Sequence, residues 1–471
     1  MYTRAQAADY DDWQTPGWGA EDMIPLCNKV ESYYSESFKV NLSKHGNNGP
    51  VKISSGGFRS KCESDILDTI REAGLAEVAD INDLETTNGF MRIPRYVSPD
   101  GKRQDAAHCY IHPLSEQESP KPNIHVLCDA TVLRILFDND VSPPRAIGVE
   151  IRNSTPDDSS PRILHAKQLV VVSAGALGSP QILERSGVGN IEILQNLGIE
   201  IVSNLPDETL ESIATARKDI TAAIASKDPQ LGWNGIDVAG KLRPGADDVE
   251  KLGQEFSDLW KKDWAPYPQR PMIIMNFIHG YIGSPSDVSP NQQHLTIGTI
   301  SLYPYSRGRI HISDTAGGYD FDSGFLNHEA DVKKQVWGYK LARSLAHKLP
   351  FFEGEVAASH PDFPAGSNAA LRLSCESLSE EIVYSAADDE AIESWIRKTV
   401  GTTWHSLGTC AMKPRDAGGV VDEHLSVYGT QALKVVDLSI APENIGANVA
   451  STAFAVGEKA ALIIAEELGL A

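Results

Sequence analysis

The sequence lacks the short motifs that mark several large enzyme classes. None of GxGxxG, GxxxxGKS/T, HExxH and GxSxG occurs among its 471 residues. The first two motifs cradle nucleotide phosphates, the third holds a catalytic zinc ion and the fourth presents a nucleophilic serine. The sequence therefore lacks the main signatures of a nucleoside triphosphatase, a zinc protease and an α/β-hydrolase. No metal site is predicted.

Cysteine, positive charge and long apolar runs are also scarce. Six cysteines without a CxxC pair are too few for a disulfide framework and suit a reducing compartment. The chain has 42 Lys and Arg against 64 Asp and Glu, so its net charge of −22 repels nucleic-acid phosphates and anionic membranes. No apolar run reaches the roughly 18 residues of a membrane span. We expect an intracellular protein with no nucleic-acid partner and no membrane partner.

What is present is the composition of a large globular protein. Apolar residues make up 41% of the chain and charged residues 23%, which excludes a disordered or collagen-like chain. At roughly 150 residues per domain, the length predicts two or three domains.

A strand followed by a glycine turn and a helix is predicted at 168–189. The continuous apolar run 168–173 is typical of a strand buried on both faces. We expect Ser179 to cap the helix that follows, Pro180 to lie in its first turn and Gly187 to end it. Such a helix start, opening from a buried strand, can bind an anion.

A second unit of the same kind is predicted near the C terminus. The apolar strand 432–438 contains Asp437 at its end, and a helix is expected at 452–468. A carboxylate at the C-terminal end of such a strand lies where α/β sheets bind ligands.

Other regions show alternating or helical patterns. Alternation predicts antiparallel strands at 123–137, 146–152 and within 271–312. Helical spacing predicts helices at 62–79, 330–349 and 388–400, and polar helices are expected over 207–265.

His405 stands out among 13 histidines because of its neighbours. The small residues Ser406, Gly408 and Thr409 leave room for a ligand beside the imidazole, and Trp404 is expected to shield it from water. An imidazole can accept a proton at neutral pH. A buried histidine satisfied by its neighbours is the alternative, and the residues alone leave both open.

Asn448 is the second candidate. Its carboxamide could donate a hydrogen bond to an alcohol oxygen beside a histidine base. It could equally hold a turn before the following helix.

Taken together, these segments resemble the glucose–methanol–choline (GMC) family of flavin oxidoreductases. Residues 175–189, GALGSPQILERSGVG, fit the family's second signature without a mismatch. The stretch from WHSLGTCAM (404–412) to VVDLSIAPENIGANVASTAF (435–454) resembles its catalytic block. YPYSRGRIHIS (303–313) resembles its substrate-domain region, and MYTRAQAADYDDW (1–13) is similar to fungal alcohol (methanol) oxidases.

The resemblance implies an α/β fold and a division of the chain. It implies an FAD/NAD(P)-binding Rossmann-like domain, truncated at its N terminus, with an antiparallel-sheet substrate domain covered by helices. The FAD-binding region would be 1–206, the substrate domain 207–400, and 401–471 would return to the FAD domain with the catalytic residues. FAD is the implied cofactor, an alcohol the substrate and dioxygen the electron acceptor. A homo-oligomer and a cytoplasmic or peroxisomal location are left open.

The resemblance also implies roles for particular residues. His405 would accept the proton of the substrate hydroxyl, and Asn448 would hydrogen-bond the same oxygen. Oxidation of R–CH2OH to R–CHO, with hydride transfer to flavin N5, is the implied reaction. Contacts with FAD are implied for Val132 at the adenine, for Gly175 and Ala176 along the same dinucleotide, for Asp437 near the pyrophosphate and ribityl chain, and for Val449 and Thr452 beneath the pyrimidine end.

The chain departs from the family pattern in two places. The GxGxxG unit and the first signature are missing, and after 201–206 the sequence continues as DETL instead of a glycine-valine-glycine turn. Three hypotheses follow: an incomplete stretch of a working alcohol oxidase, a non-catalytic remnant without flavin, or a lyase like the family's hydroxynitrile lyases. The first is preferred because the catalytic block is intact.

Overall fold

Helices and short strands share the chain in a mixed α/β arrangement. The computed structural model describes residues 1–34, 40–115, 123–153, 160–197, 199, 203–204, 233–288, 292–314, 318–374 and 381–470. Cys375 and the DETL departure lie outside the described residues.

The helices carry the labels α1 to α11 in chain order. They are α1 (Ala7–Asp11), α2 (Ala20–Val30), α3 (Glu63–Glu72), α4 (His112–Ser115), α5 (Gly175–Arg185), α6 (Ile191–Asn196), α7 (Ala246–Lys251), α8 (Gln254–Asp263), α9 (Glu329–Lys348), α10 (Ala386–Thr399) and α11 (Ala450–Glu467).

The strands carry the labels β1 to β15. They are β1 (Glu31–Tyr33), β2 (Val51–Ile53), β3 (Gly89–Arg92), β4 (Ala130–Asp138), β5 (Arg145–Asn153), β6 (Arg162–His165), β7 (Val170–Val172), β8 (Val188–Gly189), β9 (Ser203–Asn204), β10 (Ile236–Leu242), β11 (Ile273–His279), β12 (Leu295–Ser301), β13 (Arg309–Ile312), β14 (Tyr319–Asp322) and β15 (Leu433–Val435).

The largest described sheet is antiparallel, with the order β12–β11–β10–β3. The strands predicted within 271–312 are therefore confirmed. The expectation of polar helices throughout 207–265 is wrong at β10, whose residues are almost all buried between two partner strands. Gly240 permits this, because a Cβ there would lie 2.6 Å from the ring of Phe90. On the sheet lies α9, which approaches closely at Gly338.

A parallel pair, β7 with β15, forms the second centre of the fold. Both predicted strands are confirmed in position. The expectation that the first is buried on both faces is wrong, since 43% of Val171 is exposed and no other described segment covers that face. Before β7 in the sequence, β4, β5 and β6 form an antiparallel sheet, although β4 begins at Ala130 rather than 123.

The helix after β7 begins earlier than predicted. Ser179 is not its cap, because the helix starts at Gly175, whose N–H donates to the Asp437 carboxylate at 2.8 Å. Pro180 therefore lies inside α5, where it cannot donate to the carbonyl of Ala176. The hydroxyl of Thr409 donates to that carbonyl instead, at 2.5 Å.

The other predicted helices agree with the structure to within two residues, except that α3 ends at Glu72 rather than at 79. Helix α3 ends before Gly74, which has a φ of +78°, and α9 and α10 match the predicted 330–349 and 388–400. Gly187, with a φ of +86°, follows the end of α5 as expected. Among the helices of the described ranges, none is long and apolar enough to cross a membrane.

Candidate active site

His405 and Asn448 lie side by side although 43 positions separate them in the sequence. The distance between Asn448 Nδ2 and His405 Nε2 is 3.1 Å. His405 belongs to an extended segment held to the turn after β15, where the N–H of Gly408 donates to the carbonyl of Leu438 at 3.0 Å. Asn448 lies just before α11. The two sequence-predicted residues therefore meet between a strand end and a helix start.

The partners of His405 define which ring nitrogen carries the proton. Asn448 Nδ2 can only donate, so His405 Nε2 accepts. His405 Nδ1 lies 3.0 Å from Thr403 Oγ1 and is assigned the proton from this network. Nε2 is therefore the nitrogen that can take up a further proton.

Thr3 fixes the orientation of the Asn448 amide. The Thr3 hydroxyl donates to Asn448 Oδ1 at 2.8 Å and accepts from the Asn448 backbone N–H at 2.8 Å. Because Oδ1 faces Thr3, Nδ2 must face His405. Thr3 is only 1% exposed, so water does not compete for these bonds.

A buried ionic cluster, here called the Glu31 network, holds the residues on either side of that threonine. Tyr2 donates to the Glu31 carboxylate, and Arg4 Nη1 lies 3.4 Å from Glu31 Oε1. His45 bridges two carboxylates, with Nδ1 3.1 Å from Glu31 Oε1 and Nε2 2.8 Å from Asp80 Oδ2. Alternation along an extended chain directs the intervening side chain to the opposite side.

The imidazole of His405 is in an environment that keeps it neutral. Burial lowers its pKa to about 4, because desolvation disfavours the charged form. The expectation that Trp404 shields it is wrong: the Trp404 side chain is 55% exposed on a backbone with a φ of +57°.

A cavity of about 400 Å³ opens beside His405. Its volume lies in the range of small-molecule sites. Many of the residues that line it are apolar or aromatic, among them Ile297, Leu302, Phe325, Tyr339, Trp395 and Val400. A second cavity of about 330 Å³ also reaches His405.

Asp437 ties together the segments for which the resemblance implies dinucleotide contacts. Besides the N–H of Gly175, its carboxylate accepts from Ser179 Oγ at 2.6 Å and from the N–H of Ser439 at 2.8 Å. Ala176 is joined through Thr409 to the segment that carries His405. The structure thus brings Gly175, Ala176 and Asp437 together.

The remaining sequence-predicted residues lie in different places. Val449 lines the larger cavity and directly precedes α11. Thr452 is 1% exposed and lies 3.1 Å from the hydroxyl of Tyr10. Val132 is on β4, which contacts α5 through a bond from Arg185 to the Leu133 carbonyl at 3.2 Å, and it lines neither cavity.

Comparison with protein families decides the membership of the chain. Family models described as GMC oxidoreductase match residues 1–209 and 304–457. The chain belongs to the GMC oxidoreductase family. It is 32% identical over 547 residues to the alcohol oxidase of Pichia angusta and 31% identical over 548 residues to that of Candida boidinii, covering 100% of this chain and 81% of each relative. As a GMC oxidoreductase, it is an enzyme that acts on alcohol donors.

Solved GMC-type structures share the fold. An FAD-dependent oxidoreductase from Chaetomium thermophilum has a TM-score of 0.77 at 22% identity, covering 100% of this chain and 85% of that one. A fungal aryl-alcohol oxidase has a TM-score of 0.74 at 22% identity, covering 99% and 84%. The predicted fold class is therefore confirmed, and FAD is the cofactor.

The residues present fit part of an FAD site. Gly175 has a φ of +79°, and no described atom lies within 4 Å of the position a Cβ would occupy, so a dinucleotide could pass close to its backbone. In the described structure no side chain caps the first turn of α11, which leaves N–H groups and a positive dipole end near His405.

Sequence reasoning missed two residues of this GMC site. Thr3 is 445 positions from Asn448 and carries no local pattern that could reveal the contact. Asp9 accepts from the Tyr303 hydroxyl at 2.7 Å and from the N–H of Gly446 at 3.0 Å. It therefore anchors the loop before Asn448, and its position in α1 gave no sign of this.

Proposed function

We propose that this chain oxidises a primary alcohol, short-chain or aryl, to the aldehyde, with FAD as cofactor and dioxygen as the final acceptor. The balanced reaction is R–CH2OH + O2 → R–CHO + H2O2. The observation that carries the proposal is the 3.1 Å pairing of Asn448 Nδ2 with Nε2 of His405, a residue that lines an apolar cavity. Relatives named alcohol oxidase support it.

The proton transfer follows from the hydrogen-bond network of His405. A substrate hydroxyl in the cavity would donate to the unprotonated Nε2 and accept from Asn448 Nδ2. His405 removes the proton as carbon–hydrogen cleavage proceeds, and Nδ1 stays bonded to Thr403. Asn448 stabilises the negative charge that grows on the alcohol oxygen, as a fixed donor does.

FAD, when bound, supplies the acceptor for the hydride. We propose that the residues which hold it are Val132, Gly175, Ala176, Asp437, Val449 and Thr452. The first turn of α11 would favour negative charge close to Val449. The carboxylate of Asp437 accepts hydrogen bonds from Gly175, Ser179 and Ser439. We therefore propose that Asp437 holds in place the protein segments that contact the dinucleotide.

The residues that line the larger cavity indicate which kind of alcohol it suits. Phe325, Tyr339 and Trp395 line a space of about 400 Å³, which exceeds what a one-carbon alcohol fills. Aromatic rings stack favourably with one another. An aryl alcohol therefore suits this wall, whereas the likeness to alcohol oxidases favours a short-chain substrate.

The test uses the purified chain supplied with FAD. Methanol, ethanol and benzyl alcohol are offered separately, and aldehyde formation and oxygen uptake are measured together. We expect equal amounts of aldehyde and consumed oxygen with at least one alcohol. A cyanohydrin that releases cyanide without oxygen uptake would indicate a lyase, and inertness towards every alcohol would indicate a non-catalytic chain; either result rejects the proposal.

Replacing Thr3 with valine tests the orientation of Asn448. Valine keeps the shape but removes both hydrogen bonds, so the amide is free to rotate. We expect the rate of alcohol oxidation to fall by roughly five- to tenfold, which corresponds to one lost hydrogen bond of about 1 kcal/mol. The measurement is kcat for the preferred alcohol at saturating FAD.

Thr3→Ser is the matched control, since it keeps the hydroxyl and should retain most of the rate. If Thr3→Val and Thr3→Ser behave alike, Thr3 does not position Asn448.

A further inference from the structure

A cysteine, a histidine and an aspartate contact one another in sequence at the ends of the two inner strands of the antiparallel sheet, outside the cavities that His405 lines. Cys62 Sγ is 3.5 Å from His279 Nδ1, and His279 Nε2 is 3.3 Å from Asp237 Oδ2. Cys62 directly precedes α3, Asp237 is on β10, and His279 is the last residue of β11. This is the order of nucleophile, base and orienting carboxylate that activates a thiol.

Asp237 is held as a carboxylate and fixes the tautomer of His279. Its side chain is 0% exposed and pairs with Arg95, while Trp233 Nε1 donates at 2.9 Å and the N–H of Ser60 at 3.0 Å. Burial alone would raise the pKa of Asp237, but the hydrogen bonds from His279, Ser60 and Trp233 outweigh it and lower the pKa. His279 Nε2 therefore carries the proton, and Nδ1 faces the Cys62 thiol as an acceptor.

Ser60 lies beside both the His279 ring and the Cys62 sulfur. Its hydroxyl lies 3.1 Å from His279 Nε2 and 3.6 Å from Cys62 Sγ. The hydroxyl can therefore stabilise charge on either partner after a proton moves from sulfur to nitrogen.

The thiol is free and reachable. Cys62 is half-buried and not in a disulfide, and it stands at the start of the ten-residue helix α3, whose dipole favours a thiolate. The negative charge of Glu63 in the first turn disfavours a thiolate. Arg59 and Arg92 offset that charge, because they pair with Glu63 at 3.1 and 2.6 Å. Asp65, also in the first turn, is exposed to solvent.

We propose that Cys62 is a reactive thiol, activated by His279, at which small electrophiles modify this protein covalently. Hydrogen peroxide, the co-product of the proposed oxidation, is one such electrophile; only its source rests on that function. The proton of the thiol moves to His279 Nδ1, and the sulfur attacks one peroxide oxygen. The O–O bond breaks, Cys62 is oxidised to the sulfenic acid, and the leaving hydroxide takes a proton to become water.

Alkylation by iodoacetamide tests the proposal without depending on turnover. The FAD-loaded chain is treated briefly at a series of pH values, and mass spectrometry of its peptides gives a separate rate for each cysteine. Cys128, which is exposed, and Cys109, which is half-buried and whose pKa burial raises, are the internal controls. At about pH 6.5 an unassisted thiol is almost wholly protonated, so we expect Cys62 to react at least about tenfold faster than Cys128 despite its lower exposure.

His279→Gln should remove that advantage, bringing the Cys62 rate down to that of Cys128 or below. His424→Gln, at an exposed loop histidine, is the matched control and should leave the advantage intact. The comparison within the wild-type chain stands even if His279→Gln folds poorly. A Cys62 rate no greater than that of Cys128 at about pH 6.5, or a Cys62 rate unchanged in a folded His279→Gln variant, would overturn the proposal.

A second experiment separates modification of Cys62 from catalytic turnover. Hydrogen peroxide added to the chain in the absence of alcohol should produce a sulfenic acid at Cys62 before Cys109 or Cys128, trapped with dimedone. Labelling of all three at equal rates would contradict the proposal, and this result would leave the proposed alcohol oxidation unaffected.

Discussion

Replacing His405 with alanine is expected to reduce alcohol oxidation by at least about 100-fold, the usual effect of losing a general base. The imidazole is the one group in contact with Asn448 that can take up a proton from the substrate. Its Nε2 is paired with Asn448 and its Nδ1 with Thr403, and a pKa of about 4 keeps the ring neutral at physiological pH. Alanine removes the proton acceptor but leaves Asp437, Gly175 and the first turn of α11 in place. FAD should therefore stay bound.

The measurement is the rate of flavin reduction by a saturating alcohol, with the bound flavin content recorded for each variant. His424→Ala serves as the control for a histidine outside the site. Asn448→Ala should slow the same step without releasing FAD, because it removes only the donor to the alcohol oxygen. Normal reduction in His405→Ala would remove His405 from the mechanism.

Replacing His45 with glutamine should cost about 3–5 kcal/mol in the free energy of unfolding, as expected when a buried charge loses its partner. His45 lies between Glu31 and Asp80 and is fully shielded from solvent. Burial alone would lower its pKa, but the hydrogen bonds to Asp80 and Glu31 raise it. Among the described residues, the protonated ring is thus the only cation that contacts both carboxylates, although Arg4 also pairs with Glu31.

The stability lost in His45→Gln depends on pH in a defined way. The pKa of His45 is raised, so its contribution is complete below its unfolded value of 6.5 and is lost as the pH rises through the folded value. The pKa of Glu31 is lowered: burial opposes this, and bonds from His45 and Arg4 outweigh burial. Its contribution is complete above 4.5 and is lost as the pH falls. The difference between wild type and His45→Gln should therefore be largest between pH 4.5 and 6.5.

Denaturant unfolding at several pH values measures this difference, with His424→Gln as the exposed control. A difference below about 1 kcal/mol, the worth of a typical surface ion pair, would mean that the Glu31 network does not hold the segment around Thr3. The same variant reports on the site, since a loosened Thr3 should also slow alcohol oxidation.

Local patterns predicted the parts of the fold whose stability is local. The helices α3, α9 and α10 follow the apolar period of their own residues, and α10 is capped by Ser385, whose side chain accepts from the N–H of Asp388. The strands β7 and β15 were predicted from two short apolar runs, whereas their parallel pairing was not predicted.

Tertiary contacts decided the rest. Helix α5 begins at Gly175 because Asp437, 262 positions away, accepts its N–H, and no signal near Ser179 could report this. Strand β10 was missed because Lys241, which is fully buried and donates to the Arg4 carbonyl at 2.7 Å, makes its sequence look polar.

The site shows the same division. His405 and Asn448 could be named from the family resemblance, whereas their orientation depends on Thr3 and on the Glu31 network. Trp404 was wrongly placed as a shield, because its positive φ turns the side chain outward. The division of the chain at 206 and 400 stays a prediction; β3, from the first of these segments, pairs with β10 from the second.

The measurement that tests the central claim most directly is the visible absorption spectrum of the chain after incubation with FAD and desalting. Benzyl alcohol and methanol are then added separately in the absence of oxygen. Our account predicts an oxidised-flavin band that desalting retains and that an alcohol bleaches in the wild type, and a retained but unbleached band in His405→Ala. Loss of the flavin on desalting, or a band that neither alcohol bleaches in the wild type, would contradict the account.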